Sequence, residues 1–132
     1  MIEVHAVVGV LRDTHGRYLV AQRPSDKISP GKWEFPGGKV ESPEQPEQAL
    51  AREMLEEIGI QVINARPVLQ LRNRFPERLV FLDVWHVLEW QGLPHGAEGQ
   101  SVRWIEQAET GDYDFLPGVE KIMLAIEQAK SP

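Results

Sequence analysis

Hydrophobic and polar positions change their period several times along the chain, and each change marks an element. Val4 to Leu11 is β-branched and alternating, which predicts a strand. Asp13-Thr14-His15-Gly16 is a turn signal, and Tyr18 to Gln22 then reads as the return strand of a hairpin. Pro24 to Gly38 is rich in Gly, Pro and Ser and is predicted to be a loop, ordered by its apolar insertions Trp33 and Phe35. Ser42-Pro43-Glu44-Gln45-Pro46-Glu47 leads into a helix, because proline suits a first turn where its missing N–H has no partner. That helix is predicted from near Glu47 to Ile58, with Gly59 as its carboxy-terminal cap. Val62 to Leu71 and Leu79 to Leu88 read as strands, Gln91 to Gln100 as a loop, and Val102 to Ile105 as a short strand. Val119 to Gln128 closes the pattern as an amphipathic helix, with Ile122, Ala125, Ile126 and Ala129 at helical spacing. Strands mixed with two helices in this order predict an α+β fold with helices packed on a mixed sheet.

The chain has 132 residues, which fits one domain. Hydrophobic residues make up 42% and charged residues 26%, an ordinary globular balance that excludes general disorder. No apolar run is long enough to cross a bilayer, and Met1-Ile2-Glu3-Val4-His5 does not read as a secretory signal. The absence of cysteine excludes a disulfide framework, a thiolate zinc site and a cysteine nucleophile. A cytoplasmic protein is expected. The net charge of −6 argues against long nucleic acid as a partner. Residues 1–40 hold six basic against four acidic groups, whereas residues 37–60 hold six glutamates against Lys39 and Arg52. A carboxylate cluster beside a basic segment suits divalent cations and a small polyanion held together. The alternative is a solvated acidic helix face.

On a helical wheel Leu50, Ala51, Met54, Leu55 and Ile58 form one broad stripe that should face the core. Glu53, Glu56 and Glu57 stand at i, i+3 and i+4, so they share a different face. Like charges at that spacing cost an isolated helix a few tenths of a kcal/mol per pair, a cost that a protein tolerates if cations bind between them. Carboxylate oxygens suit Mg²⁺ or Mn²⁺ rather than zinc, and Mg²⁺ binds through a few carboxylates plus waters and phosphate oxygens. Arg52 is placed to brace the carboxylates, and Gly37-Gly38 let backbone approach a ligand closely.

Gly38, five residues, Glu44, seven residues, and then Arg52-Glu53-Met54-Leu55-Glu56-Glu57-Ile58-Gly59-Ile60 resembles the Nudix box, with every signature position filled. Glu34-Phe35-Pro36-Gly37-Gly38-Lys39, Pro46-Glu47-Gln48-Ala49, Phe75-Pro76, Glu98-Gly99-Gln100 and Asp114-Phe115 resemble the MutT-like branch, the 8-oxo-dGTP diphosphatases. The resemblance implies a Nudix-like mixed sheet sandwiched between helices. It also implies Mg²⁺-dependent hydrolysis of a nucleoside triphosphate to the monophosphate and pyrophosphate, a reaction that sanitises the nucleotide pool. The implied partner is a small nucleotide, with no membrane and no long nucleic acid, and the oligomeric state stays open, a monomer being one option.

Carried over by matching position, the Gly37 carbonyl, Glu53, Glu56, Glu57 and Glu98 are the expected metal ligands. Glu53 or Glu98 is the expected general base, Glu44 supports the ligands from behind, and Arg52 orients them. Arg23, Asp26, Gly38 and Lys39 fall in substrate-contacting regions of the family. Glu98 sits in Gly96-Ala97-Glu98-Gly99, a loop able to swing over the site, and His95 beside it has no second histidine with which to hold zinc. Phe35 and Phe75 lie in or beside loops where a base can stack, whereas Trp85 is expected in the core.

One position departs from the branch. After the Asp-Phe pair, MutT-like enzymes carry an asparagine that reads the oxidised purine, because an amide offers acceptor and donor together. Here that register holds Val119, and the two asparagines, Asn64 and Asn73, do not match it. Asp112 or Asp114 is a candidate substitute. The alternatives are therefore another triphosphate substrate (CTP, a modified pyrimidine or a pterin triphosphate) or a non-catalytic nucleotide-binding module.

Overall fold

The structure is a computed structural model that describes residues 2–27 and 29–129. Its strands are β1 (Ile2–Leu11), β2 (Tyr18–Gln22), β3 (Trp33–Glu34), β4 (Gly37–Lys39), β5 (Gln61–Phe75), β6 (Arg78–Gln91) and β7 (Val102–Ile105). Its α-helices are α1 (Pro46–Ile58) and α2 (Val119–Ala129), with a 3-10 turn at Gln107–Asp112. A four-stranded mixed sheet runs β4-β1-β6-β5, in which β1 and β6 are parallel and the outer pairs antiparallel. A three-stranded antiparallel sheet runs β3-β2-β7. Among the described residues no helix is long and apolar enough to cross a membrane.

Period-two alternation builds two cores. Val7 and Leu11 of β1 and Trp85 and Val87 of β6 join Leu50, Met54 and Ile58 of α1. Val8 and Val10 of β1 and Val84 of β6 face the other way, toward Ile122, Met123 and Ile126 of α2. The sheets therefore lie between the two helices, as the resemblance implied, and Trp85 is core as expected.

Three readings of the local pattern need correction. Tyr18 to Gln22 is not the return strand of a hairpin. The turn forms, with Asp13 Oδ1 accepting the N–H groups of His15 and Arg17, but the strands stay together only for the bridge Arg12↔Tyr18. Both segments are buried on both faces, so they splay into different sheets and each is covered by apolar side chains rather than by the other. The segment from Pro24 to Gly38 is not loop throughout, because it contributes β3 and β4. The apolar stripe of α1 is also rotated. Ala49, Leu50, Met54 and Ile58 are buried, whereas Ala51 and Leu55 face solvent, Leu55 at 59% exposure. The rotation brings Glu53 and Glu57 against β4.

The ends of α1 follow from local chemistry. Pro46 fills its first turn and Gln45 pairs reciprocally with Gln48 in a capping box. Gly59 adopts φ 68° in the left-handed region, and its N–H and that of Ile60 donate to the carbonyls of Leu55 and Met54.

Candidate active site

Arg52 is the hub of the polar face of α1. Its Nε and Nη2 donate to the two oxygens of Glu44 at 2.7 and 2.9 Å, and Nη2 also reaches the Lys39 carbonyl at 2.9 Å. Its Nη1 donates to Glu53 Oε1 at 2.8 Å and to Glu56 Oε2 at 3.3 Å. The side chain expected to orient the carboxylates thus does so by a planar fork, and it ties Glu44, which lies before the helix, to the catalytic face. The Arg52 hydrogen bonds, joined by the Glu41 N–H donating to Glu44 Oε1 at 2.9 Å, pull the Glu44 carboxyl down to about 2. The same pair with Glu44 pushes the Arg52 guanidinium up.

Glu57 and Glu53 meet the Gly37-Gly38 turn of β4. The Gly37 N–H donates to Glu57 Oε2 at 2.8 Å. A Cβ on Gly38 would lie 2.3 Å from the Glu53 carboxyl carbon, so only glycine leaves room for that carboxylate. Burial pushes the Glu57 carboxyl up to about 8, against the pull of the Gly37 N–H and with the charges of Glu34, Glu53 and Glu98 adding to the rise. Burial also raises Glu53, with Glu56 and Glu98 adding to the rise, and it raises Glu34 against the pull of Arg23. Glu53, Glu57 and Glu34 are therefore poorly hydrated, with the exposed Glu98 adding repulsion to Glu53 and Glu57, and their oxygen donors and excess negative charge fit a hard divalent cation. Among the described residues the groups do not converge into a closed cage: Glu53 and Glu56 turn to Arg52, and Glu57 to Gly37. Gly37 meets the cluster through its N–H in this arrangement.

Glu98 stands exposed on the loop between β6 and β7. That loop is fastened to the end of α1. Ala97 N–H and Gln100 Nε2 both donate to the Glu57 carbonyl, at 3.0 and 2.8 Å, and His95 N–H donates to the Ile58 carbonyl at 3.1 Å. Across a cleft of about 590 Å³ the loop faces Arg23, Ser25 and Gly31, and Arg23 Nη1 holds both oxygens of Glu34 at 3.0 and 3.2 Å. Asp26 is exposed on the same loop as Arg23, and Lys39 projects from β4 into solvent.

Three substrate expectations fare differently. Phe35 is 3% exposed and packs with its ring centroid 6.0 Å from that of Tyr18, so it is core and does not offer a face to a base. Val119 is 5% exposed at the start of α2, and its side chain belongs to the α2 core, so it presents no edge for base reading. Both are apolar side chains at the rim of a sandwich, where burial on folding outcompetes exposure. Phe75 ends β5 beneath the Arg78 guanidinium, 5.1 Å from its ring centroid. Phe75 pairs with Arg78 and Arg78 with Ile2, whereas Gly38 pairs with Val7, so Phe75 stands roughly 16 Å from the Gly38 turn along the strand direction, at about 3.3 Å per residue, and on the opposite edge of the four-stranded sheet. Two residues escaped the sequence reading. Glu34, a charge between Trp33 and Phe35, was visible as a polar break between two core aromatics. Gln100 carried no signal apart from its place after Glu98-Gly99.

Helix-borne carboxylates braced by one arginine and backed by a diglycine turn, beside a cleft with Arg23 on one wall and Glu98 on the other, suit hydrolysis of phosphoanhydrides. The NUDIX domain family model matches residues 7–125, and the chain belongs to that family. It is 34% identical over 128 residues to an Escherichia coli protein named 8-oxo-dGTP diphosphatase, covering 97% of this chain and 99% of the relative. It is 38% identical over 117 residues to an E. coli CTP pyrophosphohydrolase, covering 89% and 84%. A solved MutT structure, from work on the Aliivibrio salmonicida and Vibrio cholerae proteins, superposes with TM-score 0.80 at 34% identity, covering 96% of this chain and 98% of the other. The protein is thus a Nudix hydrolase acting on nucleotide diphosphate bonds, and family members of this kind use divalent cations.

Proposed function

We propose that this chain hydrolyses a nucleoside triphosphate to the monophosphate and pyrophosphate with Mg²⁺, as a MutT-type 8-oxo-dGTP diphosphatase that sanitises the nucleotide pool. The observation that carries the reading is the repelling set Glu53, Glu57 and Glu98, the first two held against Gly37-Gly38 and the third facing Arg23 across an open cleft. Glu53, Glu56, Glu57 and Glu98, with the Gly37 carbonyl, would hold the ion, and Mn²⁺ suits the same donors. The ion would neutralise charge that spreads over the phosphoryl oxygens and would make the attacking water more acidic. Arg23 pairs with phosphate oxygens as Glu34 releases it. Glu53 or Glu98 takes the proton of the attacking water, whose oxygen bonds to phosphorus as the anhydride P–O bond breaks and pyrophosphate departs. Arg52 keeps Glu53 and Glu56 in place throughout, and Glu44 keeps Arg52 in place. Free nucleotides as substrates accord with a monomer working in the cytoplasm.

A second reading changes only the base. Val119 has no hydrogen-bonding group and lies in the core, which favours a pyrimidine triphosphate such as CTP over a site that reads the oxidised purine edge. Pyrophosphate release from 8-oxo-dGTP, dGTP and CTP with Mg²⁺ separates the two. The first reading expects kcat/KM for 8-oxo-dGTP at least tenfold above dGTP. Equal values for those two, with CTP highest, establish the second.

A further inference from the structure

The last carbonyls of an α-helix have no partner within the helix and must find donors elsewhere. In α1, the carbonyls of Met54 and Leu55 are taken by Ile60 and Gly59. Those of Glu57 and Ile58 are taken by the loop that carries Glu98. Gln100 is the one side chain among those donors. Its Nε2 donates to the Glu57 carbonyl at 2.8 Å, and its Oε1 accepts the Glu98 N–H at 3.0 Å. One carboxamide thus joins the backbone of Glu57 to the backbone of Glu98. The Ala97 N–H shares the same Glu57 carbonyl at 3.0 Å, and the Gly99 N–H closes a turn on the Gly96 carbonyl at 3.0 Å. The His95 ring lies against Gly59 so closely that a Cβ there would stand 2.3 Å from its Cε1. His95 and Ala97 pin the near side of the loop, whereas the far side, beyond the exposed Glu98, is fastened by Gln100.

We infer that Gln100 is a positioning residue, whose two hydrogen bonds set where Glu98 stands relative to Glu57 and the rest of the carboxylate cluster. A carboxamide is required because the link needs a donor at one end and an acceptor at the other. A glutamate would meet the Glu57 carbonyl with a lone pair, and a methionine would meet both ends with nothing. The inference rests on the proposed hydrolysis for its kinetic consequence, but the link itself is readable without turnover.

The test compares wild type, Gln100→Met, Glu98→Gln and the double variant in amide hydrogen exchange and in pyrophosphate release with Mg²⁺. In Gln100→Met, exchange of the Glu98 amide is expected to speed at least tenfold, while the Leu19 and Val20 amides of β2 stay protected and report an intact fold. Turnover is expected to show kcat down ten- to a hundredfold with KM changed less than threefold. Because Gln100 acts through Glu98, the double variant should be no slower than Glu98→Gln alone. Unchanged Glu98 exchange, or losses that multiply in the double variant, overturns the inference. Absence of pyrophosphate release from wild type defeats the proposed hydrolysis instead, and the exchange result then still decides the link.

Discussion

Arg52 grips Glu44 at two points, Nε to Oε2 at 2.7 Å and Nη2 to Oε1 at 2.9 Å, although eight positions separate them in the chain. The fork leaves Nη1 for Glu53 and Glu56, so one planar group sets three carboxylates at once. Lysine carries the charge but cannot span that geometry. Arg52→Lys should lower kcat about a hundredfold, since misplacement of about 1 Å costs that much, with little change in Tm. Steady-state kinetics beside thermal melts check this. Glu44, held down to about 2, contributes stability present above its unfolded value near 4.5 and lost as pH falls toward 2. Glu44→Gln should remove that acid-side loss.

The two glycines of β4 separate fold from chemistry. A Cβ on Gly37 would lie 2.0 Å from the Val7 carbonyl oxygen, which is backbone and cannot yield. Gly37→Ala should therefore destabilise the protein by about 2–4 kcal/mol in urea unfolding, by prising β4 from β1. On Gly38 the Cβ would strike the Glu53 carboxylate, the movable end of a side chain. Gly38→Ala should keep most stability and lose ten- to a hundredfold in kcat, so equal stability losses in the two variants would contradict the geometry.

The half-buried Glu57 gives the metal-free protein an unusual pH dependence. Its carboxyl is raised to about 8 in the folded chain, so the folded state binds the proton more tightly than the unfolded one. The resulting stability is full below about pH 4.5 and is lost as pH rises through 8. In EDTA, Tm should fall between pH 5 and pH 8, apart from the general behaviour of other groups. Glu57→Gln should flatten that fall, and added Mg²⁺ should raise Tm most at the alkaline end. A wild-type slope identical to that of Glu57→Gln would show that Glu57 is not the group responsible.

The rotation of α1 is testable by two neighbouring truncations. Met54 is fully buried and Leu55 is 59% exposed. Met54→Ala should cost about 2–5 kcal/mol, whereas Leu55→Ala should stay within about 0.5 kcal/mol. Comparable losses in urea melts would return Leu55 to the core.

Much of this architecture was legible because period and punctuation are local. The α1 helix, its Gly59 cap, the closing α2 helix and the two longest strands follow from spacing alone, and Glu53, Glu56, Glu57 and Arg52 share a face because 3.6 residues make a turn. What failed depends on partners distant in the chain. Tyr18 to Gln22 carries a strand pattern but nothing that says which sheet it joins, and β3 and β4 exist only because β2 and β1 lie beside them. Leu55 was assigned to the core because a wheel counts apolar residues and cannot know that β4 draws Glu53 and Glu57 inward. Phe35 by its place beside a loop and Val119 by its register after the Asp-Phe pair point to substrate contacts, and burial between sheet and α2 decides otherwise. Gln100 was invisible because its function is a pair of hydrogen bonds to backbone that only the folded loop brings near.

The central claim is that Glu53 and Glu57 together capture a divalent cation on which hydrolysis depends. Mn²⁺ titration followed by electron paramagnetic resonance, on samples then assayed for pyrophosphate release, addresses it directly. Wild type should bind Mn²⁺ and turn over, while folded Glu53→Gln and Glu57→Gln bind it at least tenfold more weakly and lose at least a hundredfold in kcat. Wild-type Mn²⁺ affinity and turnover retained in either variant would contradict the account.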